Sequence, residues 1–264
     1  MFQIFDLSKS AIANNLGNIE EVLERTPELK NYPSELWQKT HTLLVQEGFS
    51  SNKFTFILSN NPKLLIKSEE KLLDNLNCWR AFQFGEKNTI TLLENYPELF
   101  EVNHSIELTK RLETLKVFVG NYKNVFKLLM TCPSIVQDKL SILEEKIKYL
   151  QNTMRVEVSE ITKSCTFSHE LEKIKMRHVF LERLGMYQAK SKKADPLEPS
   201  KNPKLYQIMD TSDKRFATKV CYVTLEEYET FMDLYKKEIS SMEDDDLSDN
   251  DEDVEYIDFD HRKI

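Results

Sequence analysis

Glycine is scarce: there are 5 in 264 residues, with 8 prolines and 4 cysteines. So few, isolated glycines cannot write GxGxxG, GxSxG or a GxxxxGK loop, which excludes the common dinucleotide, hydrolase-elbow and P-loop sites. Low glycine and proline with abundant Leu, Lys and Glu also disfavours sandwiches and barrels, so an all-α chain is expected. Cys78, Cys132, Cys165 and Cys221 are far apart with no CxxC. Neither a zinc ribbon nor a disulfide framework is supported, and a reducing compartment is expected. No apolar run approaches the ~18 residues of a membrane span. The five histidines lack HExxH or other metal spacing. His178, in KMRHVF, reads as a helix-surface or packing residue, and Glu144-Glu145 and Glu226-Glu227 read as solvated helix faces. The expectation is a protein that is not an enzyme, with no cofactor, no metal and no membrane segment.

Charge is unevenly spread. The formal net charge is −8, but residues 243–264 alone hold 11 acids against 2 bases. Residues 1–109 carry 10 bases and 15 acids, residues 110–193 carry 17 and 9, and residues 194–242 carry 7 and 9. A basic middle with an acidic end suggests an anionic partner for one region and self-screening by the other.

What the chain does have is a proline frame. Pro27, Pro62, Pro97 and Pro133 are spaced 35, 35 and 36 residues apart and sit in VLERTPEL, ILSNNPKLL, LLENYPELF and LLMTCPSIV. Each has an apolar pair five and four residues before it and an apolar residue two after: Leu29, Leu64, Leu99 and Ile135. The reading is a helix whose buried stripe stops where proline bars helix in the preceding residue. Gly48, Gly85 and Gly120 precede three of these helices, where glycine can end a helix in the left-handed conformation. Helix pairs with one apolar face must stack, and the result is a solenoid. A fifth unit is expected at Ser168, 35 residues beyond Pro133. There Ser168 would cap a helix from about His169, with Leu171, Ile174, Val179, Leu181 and Leu184 buried and Gly185 ending it.

After Tyr187 comes the linker QAKSKKADPLEPSKNPK, then two further helical patterns, the second with Thr224 and Glu227 as a capping box. The domains read as a repeat solenoid over 1–187, a linker over 188–203, a helical partner-docking segment over 204–242, and an acidic disordered tail over 243–264. Lys116, Lys123, Lys127, Arg155, Lys163, Lys173, Lys175, Arg177 and Arg183 fall near repeat turns or on polar helix sides. Aligned along a solenoid, they are candidates to follow a phosphate backbone. Tyr206, Phe216, Tyr222, Tyr228, Phe231 and Tyr235 crowd the segment after the linker. All of these except Tyr235, together with Tyr187, are candidate partner-binding residues, since aromatics are enriched at interface hot spots.

A period near 35 fits tetratricopeptide, pentatricopeptide and mitochondrial transcription termination factor repeats, and the first is disfavoured because no W-x2-L-G-x2-Y phrase appears. EGFSSNKFTFILSNNPKLL and NYKNVFKLLMTCPSIV resemble the mitochondrial transcription termination factor (mTERF) repeat, a Gly-aromatic turn leading through a helix to Pro-x-Leu. That resemblance covers about residues 10–187. KLLMTCPSIVQDKLSILEEKIKYL, LEKIKMRHVFLERLGMYQ and NPKLYQIMDTSDKRFATKVCYVTLEEYETF, with the acidic tail, are most similar to the fourth vertebrate type within that family.

The resemblance implies a left-handed superhelix of mTERF repeats with a C-terminal helical extension, in the mitochondrial matrix. It also implies a heterodimer with a Sun-domain RNA cytosine-5 methyltransferase, delivered to large-subunit ribosomal RNA in support of ribosome assembly and translation. The alternative is a transcription termination factor of the same fold bound to double-stranded DNA. The opening MFQIFDLSKSAIANN shows no signal-peptide core and no Arg-rich transit character, and VEYIDFDHRKI differs from a purely acidic end.

Overall fold

Proline sets the joints of the chain. A computed structural model describes residues 19–102, 106–191 and 200–248, and among them there is no strand. The helices are α1 (Ile19–Arg25), α2 (Ser34–Gln46), α3 (Phe54–Asn60), α4 (Glu69–Ala81), α5 (Glu86–Asn95), α6 (Ile106–Val119) and α7 (Tyr122–Thr131). They continue with α8 (Leu140–Lys148), α9 (Val158–Ile161), α10 (Leu171–Arg183), α11 (Leu205–Met209), α12 (Asp213–Arg215) and α13 (Leu225–Ser248). The chain is the all-α helical repeat expected from its sequence.

The four prolines occupy equivalent places. Each is the first residue of a short 3-10 helix that follows α1, α3, α5 or α7. The residues before them, Thr26, Asn61, Tyr96 and Cys132, share one conformation, with φ of −130°, −143°, −131° and −138° and ψ of 74°, 77°, 71° and 75°. This lies outside the α region, which a following proline disfavours. Each of the four N–H groups still donates to the carbonyl four residues back, at 2.7 to 2.9 Å, so the helix is complete up to the joint. Each carbonyl then accepts from the residue two beyond the proline, at 3.0 to 3.3 Å. Proline's missing donor falls where no helix bond is required.

The apolar phrases fill the core. Ile57, Leu58, Leu92, Leu93, Leu128 and Leu129 have no exposed surface, nor do Leu29, Leu64, Leu99 and Ile135. Burying each is worth about 1.5–3 kcal/mol. Val22 and Leu23 depart from the pattern and are only half-buried; their unit has a described neighbour on one side only. Polar bonds tie one joint to the next. Asn61, just before Pro62, donates to the Pro97 carbonyl at 3.0 Å and to Glu101 at 2.9 Å. Tyr96, just before Pro97, donates its hydroxyl to the Met130 carbonyl at 2.6 Å. Gly48, Gly85, Gly120 and Gly185 all adopt positive φ, between 67° and 94°.

The fifth unit keeps the joint but shifts it. Its 3-10 turn is Thr166–Ser168, so Thr166 rather than Ser168 stands where the proline would be. Ser168 is part of that turn, and α10 starts at Leu171. Leu171, Ile174 and Leu181 are buried, but Val179 is half-buried and Leu184 is 39% exposed. Arg177 and His178 take the inward positions instead. Gly185 closes the helix as expected, its N–H donating to Glu182.

Packing divides the chain into residues 1–171 and 172–264. The sequence drew its boundary by composition, at Tyr187. In the second unit Phe180 lies 5.0 Å from the Tyr228 ring and 4.6 Å from Phe231, and Phe216 lies 5.2 Å from Tyr228. The ends of the linker are pinned together: the Gln188 N–H donates to Asn202 Oδ1 and Asn202 Nδ2 donates to the Gln188 carbonyl, both at 2.9 Å. Thr224 and Glu227 form the expected capping box. The helix they start, α13, runs to Ser248, past the Met242 at which the helical pattern was drawn to end. The VEYIDFD phrase and Gly17 lie outside the described residues.

Candidate nucleic-acid interface

Three of the nine candidate cations form a line. Lys123 and Lys127 are exposed, four residues apart on the outer side of α7, whose inner side is buried through Val125, Leu128 and Leu129. Thr131 continues that side one turn on, and its hydroxyl is shared between the Lys127 carbonyl at 3.0 Å and the Thr162 carbonyl of the next unit at 3.1 Å. Lys163 follows directly and is exposed. The line Lys123, Lys127, Thr131, Lys163 therefore crosses from one repeat to the next. None of these three lysines takes part in an ion pair among the described residues.

Sequence reasoning missed one extension of this line. Lys87 lies ten residues before Pro97, as Lys123 lies ten before Pro133, and it is likewise exposed on α5. The proline frame itself was the signal, since equal distance from the joint means an equal place on the repeat.

The other candidates stand elsewhere. Lys116 is held by Glu113 at 3.2 Å and lies over the Tyr122 ring at 4.6 Å. Tyr122 in turn donates to Glu113, and burial first, then that carboxylate, pushes its phenol up to about 12. Arg155 is half-buried, at φ 54°, where it closes the π-helical turn Tyr149–Met154. Lys175 is half-buried. Lys173 reaches Asp213 at 3.8 Å. Arg183 grips Glu238 through both guanidinium nitrogens, at 3.2 and 2.6 Å, and lies over the Phe231 ring.

Arg177 is a correction. Its side chain has no exposed surface, so it is not a phosphate ligand. It donates to the Ile208 carbonyl, to the Thr211 carbonyl at 2.9 Å and to Asp213 at 2.6 Å, with its guanidinium 4.5 Å from the centre of the Phe216 ring. Five donors on a planar fork can satisfy the end of α11 and a carboxylate together, which is why an arginine is tolerated there. His178 packs edge-on to Tyr187 at 4.7 Å, and burial pushes its imidazole down to about 4.

The aromatic candidates divide in the same way. Phe216 and Tyr228 have no exposed surface, and Phe231 and Tyr187 are 8% and 9% exposed, so these four are core residues rather than a docking face. Tyr235 is also buried. Tyr206 and Tyr222 remain outside, at 48% and 79%. The aromatics that looked surplus are used up because α10, the π-helical turn Phe216–Val220 and α13 all press on one another. Among the described residues, no group of three or more His, Cys, Asp or Glu is placed to hold a metal ion, and no helix is long and apolar enough to cross a membrane.

A family model described as mTERF matches residues 15–217. The chain is 28% identical over 184 residues, 69% of its length, to a mouse (Mus musculus) protein named mitochondrial transcription termination factor 4, of which that stretch covers 52%. It is 22% identical over 137 residues, 52% of its length, to a rat (Rattus norvegicus) protein named mitochondrial transcription termination factor 1, of which 37% is covered. The chain thus spans about half or less of these curated relatives.

Proposed function

The chain belongs to the mTERF family, and from that premise we propose that it is a mitochondrial adaptor that holds RNA and recruits an RNA-modifying enzyme. The repeat unit grips ribosomal RNA of the large subunit, and the C-terminal unit docks a Sun-domain RNA cytosine-5 methyltransferase as a heterodimer in the matrix. Methyl transfer belongs to that partner, and the assembly supports ribosome biogenesis and translation. The observation that carries the nucleic-acid half is the line of exposed lysines, Lys123, Lys127 and Lys163, that runs across a repeat boundary. Phosphate contact of this kind supplies affinity without reading sequence.

For the partner, the support is exposed apolar side chains on the second unit. Leu184 and Leu234 are 39% and 52% exposed. With Tyr206 they replace the buried aromatics as the docking residues.

A second reading keeps the fold and changes the ligand: a transcription termination factor on double-stranded DNA, motivated by the words transcription termination factor in both relatives' names. One experiment separates the two. Lys123→Glu, Lys127→Glu and Lys163→Glu are combined, and binding to matched RNA and duplex DNA is titrated across salt. On RNA the slope of log K against log salt falls by about 0.7 per lost contact, about 2 for the three. An unchanged slope makes the line a solvated surface. A preference for duplex DNA, abolished by the same changes, supports the second reading.

A further inference from the structure

The segment from Ser212 to Thr224 has a face that the repeats do not account for. Along it exposure alternates in pairs: Lys214 and Arg215 are exposed, Phe216 and Ala217 buried, Thr218 and Lys219 exposed, Val220 and Cys221 buried, and Tyr222 exposed again. That period is helical, with α12 passing into the π-helical turn Phe216–Val220, so Lys214, Arg215 and Lys219 lie on its outer side, and Tyr222, two residues past its end, is exposed as well. The Thr218 hydroxyl is turned back onto the Lys214 carbonyl at 2.7 Å and does not compete for the surface. The inner side is fixed. Phe216 is locked beneath Arg177 and against Tyr228, so the outer side is presented on a rigid base.

Charge on this side is uncompensated. Lys214, Arg215 and Lys219 form no ion pair among the described residues. The carboxylate beside them, Asp213, is taken by Arg177 at 2.6 Å and by Lys173 at 3.8 Å. Glu227 is held by the Thr224 N–H and hydroxyl at 2.7 and 2.9 Å. Tyr222 ends the row in the left-handed region, at φ 57°, with 79% of its surface in solvent. A bulky residue in that region is a genuine backbone outlier, and here its ring packs into no core. Its exposed neighbours in the row are cationic or polar, which does not suit an apolar protein interface.

We propose that this face is a second, separate nucleic-acid site, one that takes single-stranded RNA. Phosphates lie on Lys214, Arg215 and Lys219, and an unpaired base stacks on the Tyr222 ring. From Lys214 to Lys219 is roughly 7 Å of helix at about 1.5 Å per residue, and Tyr222 follows just beyond its end, the reach of a few nucleotides. A base offers its face to a ring only when it is unpaired, so this combination of cations and aromatic selects single strands. The site does not depend on the lysine line of the repeats and stands or falls apart from it.

The test uses the full chain with a fluorescein-labelled 12-nucleotide oligouridine, free or annealed to oligoadenosine. Tyr222→Ala is expected to weaken binding of the single strand about tenfold with the salt slope unchanged, because stacking releases no counterions. Tyr222→Phe is expected to bind as the native chain does. Lys214→Gln, Arg215→Gln and Lys219→Gln together are expected to lower the slope by about 2, at about 0.7 per contact. All these variants are expected to keep the native melting temperature, since the side chains are exposed. Native affinity in Tyr222→Ala overturns the proposal, as does equal weakening on the duplex. So does loss of methyltransferase capture with RNA binding intact, which would give the face to the protein partner. Combining Tyr222→Ala with the reversal of Lys123, Lys127 and Lys163 separates the two sites: if the repeat reading fails, the Tyr222-dependent loss on single strands persists.

Discussion

Replacing Arg177 by methionine keeps the packing stem and removes the fork. In the native chain that fork serves the Ile208 carbonyl, the Thr211 carbonyl and Asp213 from a position with no solvent access. Each stranded buried acceptor costs about 1–3 kcal/mol, and breaking a buried ion pair costs about 3–5 kcal/mol. Asp213 is 45% exposed and regains water once released, which moves the total to the low end, about 3 kcal/mol. For a unit of this size each kcal/mol shifts the melting temperature by about 4–8 °C, so the second unit should melt at least about 10 °C lower. Both tryptophans, Trp37 and Trp79, lie in the first unit. Calorimetry or hydrogen exchange of the residue 205–235 amides is therefore the assay, not tryptophan emission. RNA affinity at temperatures where the chain stays folded should be unchanged. An unaltered melting temperature with weakened RNA binding would refute the reasoning and return Arg177 to the surface.

Two further predictions concern stability. Leu93→Ala and Leu129→Ala, at sites with no exposed surface, should each cost about 2–5 kcal/mol by urea unfolding, while Leu23→Ala, half-buried, should cost clearly less; equal costs would contradict the graded burial. His178, held near 4 by burial against about 6.5 when unfolded, binds a proton more readily in the unfolded chain. Its contribution is therefore complete above about pH 6.5 and is lost as pH falls toward 4, by up to roughly 3 kcal/mol. His178→Leu should flatten that limb of a melting-temperature profile, and an unchanged limb would assign acid sensitivity elsewhere.

What the sequence determined by itself was the repeat. Proline and glycine act on their own and the adjacent residue, through a fixed φ, a barred α conformation and a permitted left-handed one. Their spacing therefore recorded the joints at Pro27, Pro62, Pro97 and Pro133 and the turns at Gly48, Gly85 and Gly120 without any tertiary information. The apolar pairs beside them had one way to be covered, by the next unit. The lysine line was half legible for the same reason: Lys123 and Lys127 share a helix side by spacing alone, yet only the Thr131–Thr162 bond shows that Lys163 continues it. Tertiary structure decided everything that depends on what faces what. A cation four residues from the next reads the same whether it meets water or a ring of carbonyls, so Arg177 passed for surface. Six aromatics in thirty residues read the same as a docking face or as a core, and packing of α10 against α13 made most of them core. It left Tyr222 outside, just past the turn from α12 into a π-helix whose outer side carries three exposed cations, a grouping that no sequence pattern had marked.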